Sequence, residues 1–307
     1  MTTSTTGSPL LSRGPFVTDG GLETDLIFHH GADLPEFAAF PLVEDDKGAS
    51  LLRHYYDGYA DVARRAGTGL LLESATWRAN PDWAAKVGYD AQALDRVNRA
   101  SIDLVARQRD AYADLVDVLL VGAMGPRGDG YVAGETPDPD EAADYHSAQV
   151  RSFAGAGADL VSAITLTSPQ EAMGVVRAAR AAGIPVGIGF TVETDGRLPD
   201  GTPLRQAVET VDAEDAPDWF LVNCAHPTHI AAAFDGGAWQ ERIAGLRPNA
   251  STLTHAELDE AEELDEGDLD VLTTTLDALR PALPSLAIVG GCCGTDARHV
   301  AALWGVG

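Results

Sequence analysis

Three cysteines are the residues of this sequence best suited to chemistry. Cys224 closes the apolar run 219–224 (WFLVNC), and Cys292 and Cys293 stand between glycines in 288–295 (IVGGCCGT). Adjacent side chains on extended backbone project to opposite sides. Glycines at 290, 291 and 294 free the backbone to turn both thiols toward one point. A disulfide framework belongs to shorter, cysteine-dense secreted chains, so these thiols need another reason. Three thiolates on one centre suit Zn²⁺, which is tetrahedral and takes sulfur readily. With no fourth cysteine, one position stays open, as in a catalytic rather than a structural site. His226, His229 and His299 are rival or supplementary ligands, although the first two read as a helix start and the third as part of a helix face. Inert core thiols, or a redox couple at Cys292–Cys293, are the other readings of the same residues.

The expected chemistry follows from charge. Three thiolates around Zn²⁺ leave the centre net negative, a poor Lewis acid for hydrolysis. A substrate thiol entering the open position loses its proton and stays electron-rich. An electrophile carrying its own leaving group, such as a sulfonium, completes an in-line displacement. Alkyl transfer to sulfur is the reaction class.

The elements must bring these residues together. Eight short apolar runs, at 15–19, 69–76, 117–124, 158–165, 185–192, 219–224, 243–248 and 286–291, read as buried parallel strands. Between them lie helical patterns at 49–66, 91–116, 139–156, 169–182, 204–212 and 269–283. Pro139 and Pro169 suit first turns, and Gly67 and Gly183 suit C-terminal caps. No GxGxxG follows the first strand, which argues against a dinucleotide-binding sheet. The pattern predicts a single-domain (β/α)₈ TIM barrel over 14–307, with chemistry at the C-terminal ends of the strands. The polar residues ending the strands are Asp19, Glu73, Ser74, Thr76, Thr165, Glu193, Asn223, Cys224, Asn249, Cys292 and Cys293. The acidic stretch 257–270 reads as a solvated rim.

Composition bounds the partners. The 307 residues carry a net charge of −26, and Lys47 and Lys86 are the only lysines. No basic stripe is present for nucleic acid, and anionic membrane surfaces are disfavoured. A cationic small molecule is not repelled. No apolar run approaches the ~20 residues of a membrane span. The opening MTTSTTGSPL lacks the basic and apolar regions of a secretory signal. Residues 1–13 are expected to be a disordered lead-in, and the protein cytoplasmic.

Five stretches carry a resemblance: TDGGLET (18–24), GP with GD (125–129), VNCAHP (222–227), RPNA (247–250) and GGCCGT (290–295). Through them the chain resembles, over nearly its whole length, the homocysteine S-methyltransferases. These are zinc-dependent single-barrel enzymes related to the betaine- and S-methylmethionine-dependent methyltransferases. The resemblance implies Cys224, Cys292 and Cys293 as zinc ligands, Asp19 at the amino-acid end of the thiol substrate, and Asn223 as a neighbour supporting the metal. Gly20, Gly21 and Thr76 join the expected substrate site. Asp19 and Asn249 have plainer readings as turn residues, Gly20 and Gly21 as backbone hinges, and Asn223 as a buried strand end.

One position departs from the family pattern. The fourth strand commonly ends in a glutamate before threonine, which holds the substrate ammonium. Here Ile164 stands before Thr165. A buried ammonium without a partner is costly, so Glu73 or Glu193 is expected to substitute, or the acceptor is a different thiol or selenol. With no second domain for folate or cobalamin, the donor is expected to be a small free onium: S-methylmethionine, S-adenosylmethionine or a betaine-type compound. Trp77, Trp83 and Tyr131 are placed either to stack on that cation or simply to pack. A non-catalytic zinc- or thiol-binding barrel is the alternative from another class.

Overall fold

The computed structural model describes residues 11–307. Eight strands close into one parallel barrel in sequence order. They are β1 (Phe16–Val17), β2 (Gly69–Glu73), β3 (Val118–Met124), β4 (Leu160–Leu166), β5 (Val186–Phe190), β6 (Trp219–Asn223), β7 (Ile243–Arg247) and β8 (Ile288–Val289). Phe16 pairs with Gly69 on one side and Ile288 on the other, which seals the barrel. The (β/α)₈ expectation is met, and every expected apolar run contains one strand. The lead-in expected over residues 1–13 falls largely outside the described residues; Leu11–Arg13 form a turn of 3₁₀ helix.

One buried cluster joins Phe16, Leu71, Leu119, Val121, Leu160, Trp219, Ala244 and Ile288. Side chains drawn from strands all around a closed sheet meet only inside it, so this cluster fills the barrel. The other faces of the strands pack against the helices, which explains why the strands are apolar on both sides.

Local chemistry fixes the helix ends. The helices Pro139–Ala156 and Pro169–Ala182 begin at proline, where no N–H is lost, and are capped by Asp138 and Ser168. Gly67 and Gly183 take left-handed φ of 66° and 69° as C-caps. The helix expected over 269–283 stops at Leu279, and a 3₁₀ turn, Arg280–Ala282, follows. Pro281 lacks the N–H that α-helical continuation requires. The helix expected over 91–116 ends at Ala111, leaving Val116 in an exposed connection. Among the described residues no helix is long and apolar enough to cross a membrane.

Candidate metal centre

The structure brings all three cysteines to one point. Cys224 follows β6, Cys292 and Cys293 follow β8, and their sulfurs lie within 4.8 Å of one another. Cys224 and Cys292 are joined as a disulfide, and Cys293 is free. The bonded pair is therefore not the vicinal one. The Cys224 and Cys293 sulfurs stand 3.9 Å apart. Two thiolates on a tetrahedral zinc, each at ~2.3 Å, stand roughly 3.8 Å apart, so the cluster fits that metal. Burial pushes the Cys293 thiol up, against a hydrogen bond from Tyr131. A thiolate in this position needs a cation beside it. Disulfide and metal exclude each other, because an S–S bond consumes two of the three ligands.

Cys224 adopts φ 54°, a left-handed conformation uncommon for a side chain of this kind. Its N–H donates to the Arg247 carbonyl at 3.0 Å, and its carbonyl accepts from Thr191 and His255. Thr165, ending β4, also has positive φ. Asn223 holds it by two bonds: the Thr165 N–H donates to Oδ1 and Nδ2 donates to the Thr165 hydroxyl, both at 2.8 Å. The same Nδ2 lies 3.9 Å from the Cys292 sulfur. Asn223 thus links the strand-four end to the cluster.

Gly21 owes its identity to close approach rather than to its backbone angles. A Cβ there would meet the Cys292 carbonyl at 2.6 Å and the Cys293 Cα at 3.0 Å. Gly20 is similarly closed in by Tyr59 and Thr295. Gly294, at φ 78°, makes the left-handed turn that follows the cysteine pair.

Beside the sulfurs lies a cavity walled by Asp19, Glu23, Glu73, Thr76, Ile164 and Arg247, among others. Arg247, 3% exposed, donates to Asp19 and to Glu73, the latter at 2.5 Å. Glu73 also accepts from Thr18, and Asp19 from Tyr55. Burial pushes Asp19 up to about 7, with Arg247 opposing. Burial works against the Arg247 charge, and Glu73 and Asp19 more than restore it. The Thr76 hydroxyl bonds the Ala123 carbonyl at 2.6 Å.

Other expected residues lie elsewhere. Glu193 is not among the residues walling this cavity; it bonds His255 at 2.8 Å. His226 caps the helix Pro227–Ala233, His229 bonds the Thr252 carbonyl, and His299 bonds Asp296. None of the three joins the sulfurs. Trp83 has Arg78 and Lys86 over its ring, 3.5 and 3.6 Å from the centroid, and so packs against protein cations. Tyr131 packs at a 37° tilt on His255 and turns its hydroxyl to the sulfurs of Cys224 and Cys293, at 3.3 and 3.5 Å.

Four residues at the centre escape sequence reasoning: Arg247, Glu23, Arg78 and His255. Glu23, in the first turn of the helix Leu22–Phe28, forms no ion pair with any described residue. Burial pushes it up to about 7, and Arg78 and Arg247 act on it only at longer range. The only signal for Arg247 and Glu23 is their place inside the matching stretches RPNA and TDGGLET.

Fold and site together define a TIM-barrel enzyme whose polar residues gather around three sulfurs at the strand ends. The chain belongs to the homocysteine S-methyltransferase family, whose model matches residues 16–305, and it is a methyltransferase. A Zea mays protein, homocysteine S-methyltransferase 4, is 25% identical over 311 residues, covering 94% of this chain and 88% of its own. The homocysteine methyltransferase MmuM of Escherichia coli shares the fold. Its metallated form superposes with a TM-score of 0.74 at 23% identity, covering 97% of this chain and 98% of its own. Its oxidized form gives 0.75 at 23% identity, covering 98% of each chain.

Proposed function

We propose that this methyltransferase is zinc-dependent and moves a methyl group from a small onium donor, S-methylmethionine or S-adenosylmethionine, to an amino-acid thiol, homocysteine giving methionine. The observation that carries the reading is the convergence of three cysteine sulfurs beside a buried, carboxylate-rich cavity. Cys224, Cys292 and Cys293 would hold the zinc, and the metal would supply the charge that lets an acceptor thiol lose its proton and become nucleophilic.

The chain's own groups do the rest. Asn223 keeps the turns after β4 and β6 in register with the Cys292 sulfur. Asp19, fixed by Arg247 and Tyr55, lines the inner end of the acceptor cavity. Ile164 offers an apolar wall to the methylene chain. Glu73 and Glu193 already serve Arg247 and His255, so the ammonium clamp passes to Glu23. Three carboxylates share one arginine in this cavity, and the acceptor's ammonium supplies the missing cation. The methyl group passes to the acceptor sulfur as its bond to the donor breaks, and the donor leaves neutral.

The test is methyl transfer from S-methylmethionine to homocysteine by reduced protein, before and after chelation. Activity is expected to vanish with the metal and return with zinc. Full turnover by metal-free protein sinks the reading.

A further inference from the structure

A second cavity, an outer chamber of about 310 Å³, adjoins the first, and Cys293 and Tyr131 belong to the walls of both. Arg78, in the segment after β2, lines this outer chamber and not the inner one. It is 9% exposed. Its guanidinium lies 3.5 Å from the Trp83 ring centroid and 4.7 Å from that of Trp77. Yet it forms no ion pair with any described residue, and its buried Nε has no hydrogen-bond partner. The carboxylates Asp129 and Glu23 reach it only through longer-range attraction. A buried charged donor left unpaired is costly, and native interiors rarely keep one without a reason. Every other arginine buried to this degree in the site is satisfied; Arg247 has two carboxylates.

The remainder of the chamber has the opposite character. Asp129, Asp259, Glu263 and Asp265 line it, together with Asn249, whose buried Oδ1 also lacks a partner among the described residues. One planar cation, aromatic-backed and pre-set for a fork of two oxygens, therefore faces a chamber otherwise rich in acceptors, with a cluster sulfur at its inner end. A ligand that fits carries a carboxylate at one end and a positive charge elsewhere.

Resting on the methyl-transfer reading above, we infer that the outer chamber is the donor subsite and that Arg78 binds the donor's carboxylate. Arg78 is thereby a specificity-determining residue that favours donors bearing a carboxylate within reach of its guanidinium. Sulfonium compounds without a carboxylate are poor donors. Arg78 contributes to donor affinity and not to acceptor affinity, because it lies outside the acceptor cavity.

Calorimetric titration of the reduced, zinc-supplied protein with S-methylmethionine and with its carboxamide tests this. Wild type is expected to bind the carboxylate form at least about tenfold more tightly, the fold-change of a buried charge-assisted hydrogen bond. In R78Q that ratio collapses toward one, and R78K retains part of it. Equal affinity for the two compounds in wild type, or binding of neither, overturns the inference. So does a ratio unchanged in R78Q, or a loss that falls on homocysteine binding instead. The wild-type comparison needs no variant to fold. Discrimination without methyl transfer leaves the Arg78 assignment standing and removes the catalytic reading; methyl transfer without discrimination does the reverse.

Discussion

Glu23 carries the proposed acceptor clamp at the residue scale, because Ile164 stands where the family pattern has a glutamate. It is a cavity carboxylate with no ion-pair partner among the described residues, facing the same space as Ile164. E23Q is expected to raise KM for homocysteine about ten- to a hundredfold, the range for losing a charged hydrogen bond in a partly buried site. It should leave KM for the des-amino thiol near its wild-type value. Equal losses on both acceptors would show that Glu23 only shapes the pocket. The same residue has a stability signature. Its folded pKa of about 7 lies above the ordinary 4.5. The folded state therefore binds the proton more tightly, and Glu23 costs stability as pH rises from about 4.5 to about 7. The melting temperature of E23Q should gain on wild type across that window and hold the gain above it. A difference that does not vary with pH contradicts the assignment. The cysteines and Asp19 are legible in the sequence because each ends an apolar run, which is a local pattern. Glu23 and Arg247 are not, because their meaning depends on neighbours across the barrel; Arg247 meets Asp19 from 228 positions away and Glu73 from 174.

At the scale of elements, the buried trio of Asp19, Arg247 and Glu73 ties β1, β7 and β2 together at the mouth. Removing the central cation leaves two buried carboxylates unpaired. R247M is therefore expected to lose about 3–5 kcal/mol of stability, and less in acid, where Asp19, pushed up to about 7 by burial, is protonated. Urea denaturation measures it; a loss below about 1 kcal/mol means the trio is not the lock described here. The strands themselves are easily read, since a strand buried on both faces is a short apolar run and nothing else. Caps and breaks follow local rules too, as Gly67 and Gly183 show. Pro281 is equally visible, but its power to end the α-helix at Leu279, four residues short of the expected end, needs the backbone count that the apolar pattern does not carry. The acidic stretch 257–270, read as a solvated rim, is largely exposed, and it also lines the outer chamber through Asp259, Glu263 and Asp265. Charge density alone cannot separate a rim from a wall, because exposed acids serve equally in either.

For the whole molecule, closure of the barrel is what turns three scattered cysteines into one centre. Cys224 and Cys292 are 68 residues apart, yet their Cα atoms lie 5.3 Å apart. Closure also brings the third sulfur, that of Cys293, to the same point as the Cys224–Cys292 disulfide. A surface with net charge −26 surrounds that centre and favours cationic small molecules over anionic ones. The most direct test of the central claim is X-ray absorption at the zinc edge on the reduced protein, before and after homocysteine is added. Three sulfur ligands at ~2.3 Å, rising to four with the thiol, are predicted. Zinc bound through nitrogen and oxygen, or a sulfur count that homocysteine leaves unchanged, would contradict it.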